Sequence, residues 1–423
     1  MSLLRLPYSL LWYAALPAVL IRLAWRARRQ PAYLQHVGER FARYRRAPDA
    51  PVVWIHAVSV GETRAAEPLV RALLERLPDH EVLLTHMTPT GRDTAAALFG
   101  AHPRVRSVYL PYDLGLLSRR FLKHFRPRLG IIMETELWPN LLLACRVRGV
   151  PMLLANARLS ERSARRYARW PALTALTLGA LDAIGAQTEE DAARLSSLGA
   201  RQVSITGNIK FDITPPSSSE TLAASLRSRA GARPVILAAS TRDGEETLIL
   251  DAFAARPPAD TLLVVVPRHP QRFDAVAELV HSRGLSFQRR SDDKTVDATT
   301  RVWLGDSMGE MFAYYRLADV ALIGGSWLPF GGQNLIEACA VGTPAMIGPH
   351  TFNFDLVAKQ AVAAGAALRC DTVEIAMEKA LEVATDKVLH AKLGEAGLAF
   401  STAHRGATKR TLEIVEQLLQ AAQ

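Results

Sequence analysis

Acidic side chains follow two apolar stretches of the sequence, at the points where each stretch ends. HAVSVGE ends in Glu62, and METELWPN contains Glu134 and Glu136. Glu62 lies at the start of a predicted helix, where it either complements the helix dipole or acts as a general base that the helix end keeps ionised. Glu134 and Glu136 share one face of an extended chain, and one of them either caps the next helix or stabilises a reacting group.

Basic side chains accompany these acids further along the chain. Lys210 of GNIKFD is either an ordinary surface lysine or a group that neutralises an anion held between two domains. The arginines of NARLSERSARRY form either a solvated helix face or a receptor for phosphate; they are Arg158, Arg162, Arg165 and Arg166. The residue types alone leave these alternatives open.

Four polar loops follow predicted strands in the second half of the chain: ASTRDGEE, VVPRHPQRF, GDSMGEM and GGQNLIEA. Their small residues, positive charge and helix N-termini suit a phosphate. Glu337, in the last of them, can accept hydrogen bonds from the vicinal diol of a ribose. Together the loops predict a nucleotide site. The sequence contains no Asp-x-Asp motif, which is compatible with a nucleoside monophosphate leaving group and no metal.

The elements that must position these residues follow from the hydrophobic pattern. From Pro51 onward, short apolar runs alternate with helix-length segments, which predicts parallel sheets covered on both faces. We therefore predict two doubly wound, Rossmann-like α/β domains facing a cleft, with ligands at the carboxyl ends of the strands. The predicted domains are 47–211 and 234–400, joined by a proline- and serine-rich linker at 212–233, and a C-terminal helix at 401–423 is a candidate to pack back on the first domain.

The N-terminal segment, 1–46, carries most of the net charge. Nine of its side chains are arginines and one is an acid, so it contributes +8 of the total +10. This location argues against a nucleic-acid partner for the globular part. An uncharged run from Leu6 to Ile21 precedes the basic cluster. Three interpretations of this run remain open: a membrane anchor that spans or lies in the bilayer, a buried amphipathic helix, and a cleaved signal peptide. As an anchor, it would hold the chain at the cytoplasmic face, and three widely spaced cysteines fit a reducing compartment.

Taken together, these motifs resemble the 3-deoxy-D-manno-octulosonic acid (Kdo) transferases of Gram-negative lipopolysaccharide synthesis. The resemblance covers nearly the whole chain and includes HAVSVGE, METELWPN, NARLSERS, GNIKFD, PRHPQRF, GDSMGEM and GGQNLIEA. It implies a GT-B glycosyltransferase fold and an inverting transfer of Kdo from CMP-Kdo to a lipid A precursor. It also implies that the protein is located at the inner membrane and uses no metal or other cofactor.

The same resemblance implies roles for individual residues. The proton acceptor falls on Glu62, and the positions that stabilise the transition state fall on Glu134 and Lys210. The CMP contacts fall on Pro267, Arg268, Met308, Gly309, Glu310, Asn334, Leu335, Ile336 and Glu337. The chain departs from the commoner family pattern at Gln333, where GGHN is frequent, and at Arg242 and Asp243, where STHEGEE is frequent.

Two other functions remain open at this point. One is a GT-B transferase with a different nucleotide-sugar donor, and the other is a non-catalytic, membrane-tethered binding protein. The sequence motifs are shared by family members that add different numbers of Kdo units, so they do not fix that number, and they carry no signal for the oligomeric state.

Overall fold

The computed structural model describes residues 5–28, 30–255 and 260–421. The chain forms two compact units: unit 1 contains the residues up to Ile213 and those from Arg405 onward, and unit 2 contains Thr214–His404. Parts of three predicted regions lie outside the described residues. They are 1–4 and 29 of the N-terminal segment, 256–259 of the second predicted domain and 422–423 of the last predicted helix.

Unit 1 is built on a seven-stranded parallel sheet with the strand order β3-β2-β1-β4-β5-β6-β7. The central strands are apolar and buried on both faces, as parallel strands covered by helices must be. The strands are β1 (Val52–His56), β2 (Glu81–His86), β3 (Val105–Tyr109), β4 (Pro127–Met133), β5 (Met152–Ala157), β6 (Ala183–Ala186) and β7 (Val203–Ile205).

Within the described residues, eight α-helices of unit 1 precede the second unit. They are α1 (Leu6–Ala27), α2 (Val60–Arg76), α3 (Pro89–Phe99), α4 (Gly115–Phe125), α5 (Pro139–Val147), α6 (Glu161–Tyr167), α7 (Pro171–Leu178) and α8 (Glu189–Ser197). Two separate apolar clusters cover the two faces of the sheet, one around Trp54 and Phe121 and the other around Ile55 and Leu69. The predicted doubly wound α/β class is therefore confirmed for this half.

Unit 2 contains a second seven-stranded parallel sheet, with the order β10-β11-β9-β8-β12-β13-β14. Its strands are β8 (Val235–Thr241), β9 (Leu262–Pro267), β10 (Phe287–Arg289), β11 (Val302–Leu304), β12 (Val320–Ile323), β13 (Ala345–Ile347) and β14 (Ala367–Arg369). The hydrophobic pattern indicated the other five strands but missed β10 and β14. These two are three-residue strands at the edges of the sheet and are incompletely buried, so no apolar run marks them.

The helices of unit 2 begin within the segment that we predicted to be a linker. They are α9 (Ser218–Ala230), α10 (Glu245–Ala255), α11 (Phe273–Ser282), α12 (Met311–Leu317), α13 (Ile336–Ala340), α14 (Asp355–Ala363), α15 (Val373–Thr385) and α16 (Lys387–Ala403). The linker prediction for 212–233 is wrong over α9. Ala223, Leu226 and Ala230 recur at helical spacing and are buried within unit 2. The opposite, exposed face of this amphipathic helix carries Ser218, Ser225 and Ser228.

The chain returns to unit 1 through a last helix, α17 (Ala407–Ala421). The break between α16 and α17 includes Gly406, whose φ is +98°. Asp212 accepts hydrogen bonds from the backbone N–H groups of Gly406 and Thr408, and so it holds the start of α17. Ala407, Val415 and Leu419 belong to the apolar cluster on one face of the unit 1 sheet.

The N-terminal helix α1 has two different faces. Trp12, Leu16, Val19 and Leu20 pack against Tyr112, Leu114 and Leu117 of unit 1. Leu10, Leu11 and Ile21 instead are 64–71% exposed. Within the described part of the chain, α1 is the one helix long and apolar enough to cross a membrane.

One arginine of the basic N-terminal segment is not available to a membrane surface. Arg40 is 2% exposed, and its guanidinium lies 4.0 Å from the centre of the Tyr109 ring. It donates a hydrogen bond to the carbonyl oxygen of Met87. Arg40 is therefore part of the folded unit, although it lies in the predicted basic N-terminal segment.

Candidate functional site

The strand order of unit 1 reverses direction at β1 and β4, which are neighbours in the sheet. Ligands of doubly wound proteins bind outside the carboxyl ends of the strands at such a switch point. Glu62 lies in the first turn of α2, directly after β1, and Glu134 directly follows β4. Two of the predicted acids therefore flank the position where this fold class binds its ligands.

The Glu62 carboxylate is held by the loop that precedes its helix. It accepts hydrogen bonds from the backbone N–H of Val58 at 2.7 Å and from Ser59 Oγ at 3.2 Å. Burial nevertheless raises the pKa of Glu62 to about 8, and the negative charges of Glu134 and Glu136 raise it as well. Desolvation thus outweighs the two hydrogen bonds and opposes the ionised form that one of the two interpretations of Glu62 assumed.

Glu134 adopts a left-handed backbone conformation with a φ of +57°. Its N–H donates to the carbonyl oxygen of Ala155 on the neighbouring strand, so the chain turns sharply where β4 ends. The extended geometry that we assumed for Glu134 and Glu136 is therefore wrong. A non-glycine residue in this conformation is strained, and such strain is found disproportionately at functional sites.

Lys210 and Glu134 form an ion pair, with 3.1 Å between Nζ and Oε1. The two side chains are 19% and 29% exposed, so the pair is shielded but reachable by a ligand. Lys210 lies in a short 3-10 turn at Ile209–Asp212. The structure thus brings together the three residues predicted to be catalytic, because Lys210 contacts Glu134 and the charge of Glu134 acts on Glu62.

Asn156 positions this turn, and the sequence analysis did not single it out. It is fully buried at the end of β5, has a φ of +55°, and accepts a hydrogen bond from the N–H of Ile209 at 3.1 Å. Asn156 therefore holds the residue next to Lys210. An asparagine within an otherwise apolar strand was the available signal, because a buried amide requires partners.

The arginines that follow β5 do not act as one group. Arg162, Arg165 and Arg166 are exposed on α6, and Arg165 pairs with Glu161 of the same helix. The carbonyl oxygen of Arg158 accepts a hydrogen bond from Thr135 Oγ1, which ties this loop to the loop after β4. These contacts favour the solvated helix face over the predicted phosphate receptor for the three exposed arginines.

Unit 2 has its own switch point, at β8 and β12. Ser240 at the end of β8 has a φ of +55°. The loop after β12 lies so close that a Cβ on Gly324 would be 2.5 Å from the carbonyl oxygen of Ser240. The two backbones therefore approach closely at the carboxyl ends of the strands, where the nucleotide site is predicted.

Glu245 organises the loops at these strand ends, although the sequence analysis gave it no role. Its side chain is fully buried and accepts hydrogen bonds from the N–H groups of Gly325 at 2.6 Å, Trp327 at 3.0 Å and Arg242 at 3.0 Å. The carboxylate thus links the loop after β12 to the turn after β8. The signal was a glutamate pair directly after a glycine, which we interpreted only as part of a polar loop.

The predicted CMP contacts at the next two strand ends differ in exposure. Pro267 is the last residue of β9 and is buried, and the N–H of Arg268 donates to the carbonyl oxygen of Thr241. Met308 is half exposed, and Gly309 has a φ of +83°. Glu310 accepts a hydrogen bond from Ser307 Oγ at 2.6 Å, so it is held in place next to the exposed Met308.

The segment from Asn334 to Glu337 is built around one polar pair. Asn334 Oδ1 accepts a hydrogen bond from the N–H of Ile336, and its Nδ2 donates to Glu337 Oε1 at 3.1 Å. Leu335 and Ile336 are buried, so only their backbone atoms can reach a ligand. Helix α13 has five residues, so the predicted attraction of a phosphate to its N-terminus is weak compared with that of a longer helix.

Comparison with known proteins identifies the family. A family model described as 3-deoxy-D-manno-octulosonic-acid transferase (kdotransferase) matches residues 35–213. A 3-deoxy-D-manno-octulosonic acid transferase of Bordetella pertussis is 46% identical over 88% of this chain and 89% of its own length. One of Haemophilus influenzae is 37% identical over 98% and 99%. The chain belongs to the Kdo transferases. These proteins are glycosyltransferases, and their reaction is Kdo transfer in lipopolysaccharide synthesis.

The fold of this Kdo transferase is shared with other nucleotide-sugar enzymes. The structure of UDP-GlcNAc 2-epimerase from Neisseria meningitidis bound to UDP-GlcNAc matches 87% of the chain with a TM-score of 0.58 and 17% identity, and all of that protein is covered. This similarity supports the predicted GT-B class and says nothing of the substrate.

The residues at which this Kdo transferase departs from the commoner pattern have defined contacts. The Arg242 guanidinium lies 4.9 Å from the centre of the Phe330 ring, and its Nη1 is 3.1 Å from His269 Nε2. Asp243 pairs with Arg272 at 2.7 Å. Gln333 lies beside Gly325, with its Nε2 3.0 Å from where a Cβ on that glycine would be. Arg242 and Asp243 therefore take part in the loop structure of unit 2.

In the described ranges of this Kdo transferase, no group of three or more His, Cys, Asp or Glu side chains is placed to hold a metal ion. Near the carboxyl ends of the strands, Lys210 of unit 1 and Arg242 and Arg268 of unit 2 carry positive charge. Burial and these two arginines lower the pKa of His269, which favours its neutral form.

Proposed function

We propose that this Kdo transferase moves Kdo from CMP-Kdo to a lipid A precursor, a lipid IVA-like tetraacyldisaccharide, with inversion at the anomeric carbon. The observation that carries the proposal is the convergence of Glu62, Glu134 and Lys210 at the switch point of unit 1. Glu62, with its raised pKa, can serve proton transfer, and Lys210, oriented by Glu134, can serve charge stabilisation.

In this mechanism Glu62 acts as the general base. It takes the proton from an acceptor hydroxyl while that oxygen forms a bond to the anomeric carbon of Kdo, and the bond between that carbon and the phosphate oxygen of CMP breaks. Because only the carboxylate form accepts a proton, a pKa of about 8 makes Glu62 a stronger base than an ordinary glutamate once it is ionised.

Lys210 supplies positive charge for the negative charge that develops on the departing phosphate. Its ion pair with Glu134 orients the ammonium group. No residue of this mechanism requires a metal, because a monophosphate leaving group carries less charge than a diphosphate.

Unit 2 is the proposed CMP-Kdo-binding domain and unit 1 the proposed acceptor domain. The contacts to CMP are assigned to Pro267, Arg268, Met308–Glu310 and Asn334–Glu337. Glu337 would accept hydrogen bonds from the ribose hydroxyls while the Asn334 amide holds its Oε1. Leu335 and Ile336 would contribute backbone groups, since their side chains are buried.

The proposed location is the cytoplasmic face of the inner membrane. Helix α1 supports it through the exposed apolar face that carries Leu10, Leu11 and Ile21, and Arg22, Arg26 and Arg28 are exposed near its end. The opposite face of α1 packs on unit 1. This arrangement favours a helix that lies in the membrane interface over one surrounded by lipid.

The proposal is tested by incubating the purified chain in detergent with CMP-Kdo and tetraacyldisaccharide lipid A precursor and measuring the mass of the product. We expect a mass increase by one or more Kdo units and no product from the Glu62→Gln variant. CMP, but not UDP or GDP, should raise the melting temperature of the wild-type chain. Protection by UDP or GDP in place of CMP would assign a different donor.

A further inference from the structure

Asp113 is a buried carboxylate outside the proposed catalytic groups. It lies between β3 and α4 and is 1% exposed. Its Oδ2 accepts a hydrogen bond from the Tyr8 hydroxyl of α1 at 2.9 Å and one from the N–H of Asn140 at 3.1 Å. Its Oδ1 accepts a bond from the N–H of Leu141 at 2.8 Å. One carboxylate therefore joins the N-terminal helix to the start of α5.

These bonds make Asp113 the cap of α5. The residue before that helix, Trp138, provides no side-chain cap, and the first N–H groups of a helix need an acceptor from outside it. Asp113 supplies that acceptor from a distant loop. Helix α1 adds a second link, because Ser9 Oγ donates to Asn140 Oδ1 at 3.0 Å and Asn140 Nδ2 donates to the carbonyl oxygen of Asp113.

The start of α5 is also the end of the loop that carries the acids. This loop, 134–138, runs from Glu134, which pairs with Lys210, to Trp138. The Trp138 ring contacts His56 edge-on at 5.7 Å between ring centres, and His56 ends β1. The loop is thus fixed at Glu134, at Trp138 and, through Asp113, at the first turn of α5. A shift of α5 along its axis would move the charges that act on Glu62.

We propose that Tyr8 and Asp113 are positioning residues, through which the packed face of α1 fixes the start of α5 and the acid-bearing loop 134–138. Helix α1 then has a role in the active site that is separate from membrane attachment. Only the kinetic part of the test depends on the proposed transferase function, because the position of α5 can be measured without substrate.

Helix α1 provides a matched control for the decisive substitution. Tyr8→Phe removes one hydroxyl and leaves the ring, and Tyr13→Phe makes the same change on the same helix at a side chain that is 55% exposed. Both variants are studied as full chains in detergent micelles, with melting temperature as the check on folding. Asp113→Asn, which keeps the shape of the side chain but removes its charge, is the second variant.

We expect Tyr8→Phe to accelerate hydrogen exchange at the amides of Asn140 and Leu141 by about tenfold, since their acceptor loses an anchor. The kcat for Kdo transfer should fall by about threefold to tenfold, while KM for the donor and binding to lipid vesicles stay unchanged. Asp113→Asn should produce larger changes of the same kind, and Tyr13→Phe should produce none.

Exchange rates at Asn140 and Leu141 that are the same in Tyr8→Phe and Tyr13→Phe would overturn the proposal. So would accelerated exchange with an unchanged kcat, because the start of α5 would then move without effect on the acids. If the wild-type chain formed no product, the proposed function would fail, and the exchange rates alone would decide whether α1 positions α5.

Discussion

Glu62 combines two hydrogen bonds with a pKa of about 8, so its charge changes within the pH range in which the enzyme can be assayed. A base must be deprotonated, and lowering the pH through the folded-state pKa removes the active form. We expect kcat/KM of the wild-type chain to rise by roughly tenfold per pH unit up to about pH 8 and then level off. A flat profile between pH 6 and 9 would contradict the role of Glu62 as base.

The ion pair between Lys210 and Glu134 leads to a second prediction. In Lys210→Met, Glu134 loses its partner and acts on Glu62 as an unneutralised negative charge, which raises the pKa of Glu62 further. We expect the rising part of the pH profile to shift to higher pH by about half a unit to one unit. The plateau value of kcat should fall by about a hundredfold. Lys123→Met, at an exposed position of α4, is the control and should change neither quantity.

At this scale the sequence indicated where acidic and basic side chains follow the strands, but it did not predict the raised pKa of Glu62. Strand ends can be located from the apolar runs, so the sequence alone predicts that Glu62 and Glu134 follow strands of one sheet. The pKa of Glu62 depends on how far its carboxyl is desolvated and on the left-handed turn at Glu134. Both are results of tertiary packing, which local patterns do not specify.

The contact between the end of β8 and the loop after β12 depends on the small size of Gly324. A Cβ at this position would lie 2.5 Å from the carbonyl oxygen of Ser240 and 2.8 Å from that of Ala239. We expect Gly324→Ala to lower the stability of these strands by about 1–3 kcal/mol, because the obstructing atoms are backbone. The measurement is the free energy of amide exchange in β8 and β12.

Gly115→Ala is the matched control for that prediction. Gly115 is the first residue of α4, and a Cβ there would meet no atom within 4 Å. Alanine also favours the helical conformation over glycine by up to about 1 kcal/mol. We therefore expect no loss of stability, and an equal loss in both variants would show that the contact with Ser240 is not the cause.

Strands and helices were predictable from the sequence where an unbroken run of their side chains is apolar and buried. The buried strands of both sheets stand out as apolar runs, whereas β10 and β14 are short edge strands that have mixed exposure. Helix α9 was taken for a linker because its segment, 212–233, is rich in proline and serine. Its buried residues, Ala223, Leu226 and Ala230, are mostly small, so the amphipathic pattern is weak even though the helix is well packed.

At the scale of the whole molecule, the outer face of α1 is an apolar surface that the described part of the fold leaves uncovered. Replacing Leu10, Leu11 and Ile21 by glutamine should reduce partitioning into vesicles that contain anionic lipid by about a hundredfold or more, because burial of each side chain contributes about 1.5–3 kcal/mol. Protection of the chain by CMP should be unchanged. Co-sedimentation with vesicles measures the first quantity and thermal unfolding the second.

Three exposed apolar residues outside α1 serve as the control. Val147, Ile205 and Val388 are all more than half exposed, and replacing them by glutamine removes comparable apolar surface from other parts of the molecule. We expect vesicle binding of this control to match that of the wild-type chain. If the two sets reduced binding equally, general hydrophobicity rather than α1 would account for membrane attachment.

The return of α17 to unit 1 has a consequence for biosynthesis. A ribosome completes the seven strands of unit 1 and then makes the whole of unit 2 before it reaches α17. Only then do Ala407, Val415 and Leu419 emerge and join the apolar cluster that contains Ile55 and Leu69. Throughout that interval one face of the first sheet is only partly covered, while α1 has already left the ribosome. The nascent chain therefore exposes apolar surface at a time when chaperones or the membrane must protect it from aggregation.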